Sequence, residues 1–193
     1  VTNDAATPTE IQLLYHINIG QPLLGAGSRV VAPLKTLAPR DARAAEDVQT
    51  WDLYGPEQAG FAEQVYFAEL AADAAGETHV LLKNATGSQG LSLRYPVRQL
   101  PYFVLWKNTG AVADGYVTGL EPATNLPNQR SYEGTQGRVI KLAPGESVKF
   151  ELELTAYPDK SSVAEAEAAV AELQHGTSLK IHETPKAGWS PGA

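Results

Sequence analysis

The sequence predicts an all-β body carrying a single helix. Three observations predict it. Short runs of alternating apolar and polar residues recur along the chain, 17 Gly and 13 Pro punctuate its 193 residues, and only one stretch, rich in Ala and Glu, has helical spacing. The length fits one domain, expected over residues 1–184, with a short tail behind it. A chain of this size buries roughly 70% of its unfolded surface, so it needs no disulfide or metal staple.

The elements follow in order. Ile11, Leu13, Tyr15, Ile17 and Ile19 share one parity, while Gln12, His16 and Asn18 share the other with Leu14. Period two predicts a strand over 11–19, with His16 and Asn18 opposite the apolar side and roughly 7 Å apart. Gly20 and Pro22 end it. Residues 22–60, interrupted by Pro33, Pro39 and Pro56, read as a long connection with a helical turn near 41–49. Strands are then expected over 62–71, 78–84, 91–97, 101–107, 115–121, 137–142 and 146–157. The last has the clearest alternation: Val148, Phe150, Leu152 and Leu154 against Lys149, Glu151, Glu153 and Thr155. Pro144-Gly145 and Asp114-Gly115 are turn signals. Ser162-Val163-Ala164-Glu165 is a capping box, and Gly176 has the place of a C′ residue, so the helix is expected over 162–175. From Pro185 the composition predicts a loose tail over 185–193.

Charge and composition exclude several classes. With 15 basic and 22 acidic residues the net charge is −7, which offers nothing to a nucleic-acid backbone. The absence of Cys removes thiolate metal sites, thiol nucleophiles and redox motifs. No apolar run is long enough to cross a bilayer as a helix, and the start lacks a secretory pattern, so a cytoplasmic protein without a membrane partner is expected. The chain contains no Met and opens on Val1, so it is expected to lack the segment at which translation starts.

Two residues stand out as carriers of chemistry. His16, on the polar side of its strand, can give or take a proton near neutral pH; the alternative is an ordinary surface histidine. Glu121 ends a strand, and Pro122 biases it to an extended backbone. Gly119, two residues earlier on the same face, is expected to leave open space beside the carboxylate; the alternative is a solvated acid. A His and a carboxylate together suit proton transfers on a neutral polyol. His79, His175 and His182 show no metal-ligand spacing with His16, so no metal is expected. Trp51, Tyr102 and Trp106 have the rings to stack on a sugar or to fill a core. Arg40, Asp41, Arg43, Glu46 and Asp47 read as a self-paired surface patch, and the acceptor pattern at Asn84-Ala85-Thr86 as chance.

Several of these segments resemble a known family in the family's order. Leu13-Leu-Tyr-His-Ile-Asn-Ile-Gly-Gln-Pro-Leu-Leu24 is similar to the strand bearing the catalytic His of the aldose 1-epimerase (galactose mutarotase-like) superfamily. Gly119-Leu-Glu-Pro-Ala-Thr-Asn125 is similar to the segment bearing its catalytic Glu. Pro39-Arg-Asp-Ala-Arg43, Glu63-Gln-Val-Tyr-Phe67 and Pro101-Tyr-Phe-Val-Leu-Trp-Lys107 resemble a bacterial branch of unknown specificity, and the likeness runs from Val1 to about Tyr157.

The resemblance implies a large antiparallel β-sandwich, a sugar ligand and no cofactor. It implies that His16 is the acid protonating the ring oxygen and Glu121 the base at the anomeric hydroxyl, with Asn18, Glu63, Gln64, Trp106 and Asn125 as hydroxyl contacts. A sugar-binding sandwich without turnover is the alternative function, and a structural domain of a larger enzyme a third. Two departures are visible. Ala68 stands where many relatives carry a His. Members also have a long portion ahead of the segment that begins here, so this sandwich is expected to be incomplete at its N-terminus. Open sheet edges would then favour self-association into a homo-oligomer.

Overall fold

The computed structural model describes residues 1–191. In chain order the elements are β1 (Thr9–Ile11), β2 (Ile17–Ile19), β3 (Arg29–Val31), β4 (Leu34–Pro39), α1 (Ala42–Ala45), a 3₁₀ turn (Val48–Thr50), β5 (Gln64–Leu70), β6 (Glu77–Lys83), β7 (Gly90–Pro96) and β8 (Tyr102–Thr109). A second 3₁₀ turn (Val112–Asp114) leads to β9 (Tyr116–Ala123), followed by α2 (Arg130–Thr135), β10 (Ile140–Leu142), β11 (Glu153–Tyr157), α3 (Lys160–Gln174) and β12 (Lys180–Ile181).

Two large sheets form a sandwich. One has six strands in the order β12-β4-β5-β8-β9-β2, the other four in the order β11-β7-β6-β3, and β1 pairs apart with β10. Every pairing is antiparallel except β12 with β4. Period-two alternation makes the core. Leu37, Tyr66, Ala68, Phe103, Leu105 and Leu120 from the six-stranded sheet meet Val30, Val80, Leu82, Leu93 and Tyr95 from the other, all essentially excluded from water.

Each sheet also has a covered outer face. On the four-stranded sheet, Val163, Ala166 and Val170 of α3 lie over Leu81. Gly90 makes that seat: a Cβ there would stand 3.1 Å from Leu81 Cδ1 and 3.3 Å from Val163 Cγ2. On the six-stranded sheet, Ala38, Val65, Phe67 and Val104 form a second apolar floor with Leu126 and Trp189, flanked by Leu14, Tyr102 and Trp106. This outer face carries the site.

Several expected elements differ from the fold. The strand expected over 11–19 is split: β1 takes β10 as partner, Leu14 makes a single bridge to Ala123, and β2 runs beside β9. Its parity holds, since Leu13, Tyr15, Ile17 and Ile19 pack on the inter-sheet core while His16 and Asn18 are exposed. The connection over 22–60 contains two strands, β3 and β4. Pro33 and Pro39 sit at the boundaries of β4, where a missing N–H is tolerated, rather than breaking it.

The strand expected over 146–157 pairs with β7 only from Glu153. Alternation gives a face, not a partner. Ser147 instead bridges to Thr2, and the Val148 N–H donates to the Val1 carbonyl. Only Ile140–Leu142 of the expected 137–142 strand is extended, and α2 precedes it unforeseen. Helix α3 begins two residues early because Asp159, not Ser162, is its N-cap, accepting from the Ser162 N–H at 2.9 Å; Gly176 ends it at φ 75°.

The tail is corrected as well: Trp189 and Ser190 are buried. Arg138 donates to the Gly188 carbonyl, Asn128 to that of Trp189 and Tyr132 to that of Ser190. Trp189 packs there because the outer face of the six-stranded sheet is apolar and needs cover. Residues 192 and 193 lie outside the described residues. Within those described, no helix is long and apolar enough to cross a membrane.

Candidate active site

His16 and Glu121 come together across the β2–β9 edge. The register pairs Asn18 with Gly119 and Ile17 with Leu120, placing His16 beside Glu121 on the outer face. His16 Nε2 lies 3.0 Å from Glu121 Oε1. Oε1 has no hydrogen-bond partner among the described residues. The two side chains differ in solvation: His16 is 49% exposed and Glu121 4%. Burial, and secondarily the negative charge of Glu63, push the Glu121 carboxyl up to about 7.

Gly119 has a role other than the one expected. The space beside it is not left for a ligand: a Cβ there would stand 2.1 Å from Glu121 Oε1. The carboxylate therefore folds back over the glycine.

Trp106 lies opposite Gly119 on β8. Its ring meets that of His16 edge to face, with centroids 5.5 Å apart and planes at 67°. Its indole N–H donates to Glu63 Oε2 at 2.7 Å. Arg40 Nη2 donates to Glu63 Oε1 at 3.0 Å, and Arg40 Nε to Asp41 Oδ2 at 2.9 Å. The Trp106 bond, aided by Arg40, holds the Glu63 carboxyl below the usual range against partial burial. Asn18, exposed, shares this face with His16.

The other expected contacts lie elsewhere. Gln64 has the opposite parity and donates to Asp47 Oδ2 at 2.6 Å. It lines a cavity of about 490 Å³ with Arg43, Asp47 and Lys107, on the side of the sheet away from the pair. Asn125 is buried, its amide donating to the Leu126 carbonyl and its oxygen accepting from Thr124. Neither residue hydrogen-bonds to either member of the pair. Ala68 faces the inter-sheet core, so its identity does not alter this face. Trp51 also packs on that core, and Tyr102 stands edge-on to Trp189 at 6.2 Å. The Asn84 side chain is occupied in its own turn, accepting from the Ser88 N–H.

Arg43 pairs with Glu46 and Asp47, and Arg40 with Asp41, as the patch reading expects, but Arg40 also reaches beyond the patch to Glu63. The signal for Arg40 was its phase. It continues the parity of Ala38 along β4, and its N–H still donates to the Val65 carbonyl. That phase shows only once 34–39 is read as a strand.

Comparison with known proteins places these features. A crystal structure from Klebsiella pneumoniae subsp. pneumoniae MGH 78578, bearing the name "putative aldose 1-epimerase", is 37% identical and superposes with a TM-score of 0.93, covering 96% of this chain and 48% of its own. The Slr1438 protein of Synechocystis sp. PCC 6803 shares the fold at 13% identity and a TM-score of 0.52, covering 82% of this chain and 48% of its own. The chain thus spans about half the length of each solved structure. No curated protein matches it. The family model described as a domain of unknown function, DUF4432, matches residues 1–156, a span that holds both members of the His16–Glu121 pair and the strands that join them. The chain belongs to the DUF4432 family, on an aldose-epimerase-like β-sandwich.

Proposed function

We propose that the protein is a sugar mutarotase of the aldose 1-epimerase type, with His16 as acid and Glu121 as base. The observation that carries this is the approach of His16 Nε2 to within 3.0 Å of Glu121 Oε1, on the outer face of the six-stranded sheet. The ring oxygen and the anomeric hydroxyl of a cyclic sugar are bonded to one carbon. An acid and a base serving both must converge on neighbouring atoms, as these two do.

The Glu121 carboxylate takes the proton of the anomeric hydroxyl while protonated His16 gives one to the ring oxygen. The C1–O5 bond breaks and the open aldehyde forms. Rotation about C1–C2 presents its other face, and reclosure returns both protons. Charge and atoms balance with no further reactant. Burial serves the base, because a carboxylate poised near 7 binds a proton more strongly than a solvated one and gives it back at neutral pH. Asn18, Glu63 and Trp106 border the pair and suit hydroxyl and ring-face contacts.

The test is anomer exchange on a panel of neutral aldoses, followed by polarimetry or NMR with full-length protein. His16→Ala and Glu121→Gln are expected each to lower kcat at least about 100-fold with the fold retained. Wild-type rates in both variants would remove these residues from the reaction. Saturable sugar binding with no acceleration in the wild type would replace the enzyme by a sugar-binding module.

A further inference from the structure

We propose that Arg40 and Glu63 are positioning residues of this site: through the indole of Trp106 they hold the His16 ring against Glu121. The proposal rests on the mutarotase reading for its consequence in turnover, but its geometry stands apart from it.

His16 needs external orientation. It lies just ahead of a three-residue edge strand, its side chain is half exposed, and its ring makes no hydrogen bond among the described residues. What the ring meets is Glu121 Oε1 and the edge-to-face indole of Trp106. The indole is in turn fixed at its N–H by Glu63 Oε2, and the other Glu63 oxygen is taken by Arg40. Glu63 lies just outside β5, so a hydrogen-bond partner rather than strand pairing sets its direction.

Arg40 is anchored at both ends. Its backbone N–H donates to Val65, continuing the β4–β5 pairing. Its Nε donates to Asp41, whose own position is set because Oδ1 caps α1 by accepting from the Ala44 N–H at 3.0 Å. A helix cap thus reaches the acid through four side chains: Asp41, Arg40, Glu63 and Trp106. These ion pairs are a third to a half exposed, where such pairs contribute little stability. Their effect is on orientation.

Two measurements on the full-length protein test this. Without sugar, the NMR signals of the Trp106 Nε1–H and the His16 ring are compared across variants. Arg40→Ala and Glu63→Gln are expected to shift both, Trp106→Phe to shift the His16 signals, and Arg40→Lys to restore part of the wild-type pattern. In turnover, Arg40→Ala is expected to lower kcat about tenfold with KM nearly unchanged, as misplacement of a reacting group does. Arg40→Ala combined with Trp106→Phe should be no slower than the slower single variant, because both cut one chain.

Wild-type His16 signals in Arg40→Ala, or a double variant whose loss is the product of the single losses, would overturn the proposal. So would a rise in KM alone on removing Glu63 with the Trp106 signal unmoved, since that would make Glu63 a sugar contact only. If the signals couple but the wild-type protein accelerates no mutarotation, the positioning chain stands and the mutarotase reading fails.

Discussion

Gly119 has less room for a side chain than any other described glycine. An added Cβ would lie 2.1 Å from Glu121 Oε1 and 3.0 Å from its Cδ, so Gly119→Ala must displace the carboxylate from its place beside His16. We expect this variant to keep its melting temperature within a few degrees while kcat falls about 100-fold, a loss of the size a misplaced catalytic group causes. Glu121 itself sets a pH dependence. In the proposed role of base it must be ionised, so kcat/KM should fall as pH drops through about 7. The same shift acts on stability with a definite sign. The carboxyl is raised from 4.5 to about 7 in the fold, so between those values the folded state binds more protons than the unfolded one. Stability is therefore lost as pH rises through that window, by about 3 kcal/mol. Glu121→Gln should remove this loss. Urea unfolding at pH 8 is expected to show the variant more stable than wild type, with little difference at pH 4; equal stability at pH 8 would refute the assignment of the shift to burial of the anion.

The strands behind the site illustrate what the sequence shows and what it hides. β5 to β9 alternate cleanly between two apolar faces, so their positions are visible to within two residues at either end. His16 and Glu121 were legible for the same reason, each having a parity to read. Gln64 was misplaced by one step of that parity, and Arg40 was overlooked because two prolines made β4 resemble a loop. Partner choice was not legible at all: nothing local tells residues 146–148 to take the N-terminal segment rather than continue into β11. Lys107 shows an element fixed by an unlikely residue type. It faces inward from β8, and its ammonium donates to the carbonyls of Trp51 at 3.1 Å and Leu53 at 2.7 Å, clipping the turn after residue 48. Burial pulls its pKa down to about 8 in spite of nearby Asp52 and Asp47. Lys107→Met should leave those carbonyls without a donor and cost about 2 kcal/mol. Hydrogen exchange is expected to quicken over residues 48–55, and unchanged exchange there would show that the clip is dispensable.

The whole molecule is held by contacts between distant parts of the chain, and the segment expected to be loose is one of them. Trp189 is 4% exposed and covers Phe67, Val104 and Ala38 on the face that carries His16 and Glu121. The buried Glu133–Arg138 pair, with Arg138 also bound to the Gly188 carbonyl, locks this cover to α2. Trp189→Ala is expected to cost about 3–5 kcal/mol in urea unfolding, the range for removing a buried aromatic side chain. A cost near zero would mean that the tail is peripheral after all. The parallel pairing of β12 with β4 carries a consequence of another kind, in time. β4 is synthesised about 140 residues ahead of its partner. At 5–20 residues per second a translating ribosome carries the exposed edge of β4 for on the order of ten seconds before β12 can shield it. That interval, and not the finished fold, is when a chaperone or a neighbouring nascent chain has its opportunity to pair with the sheet.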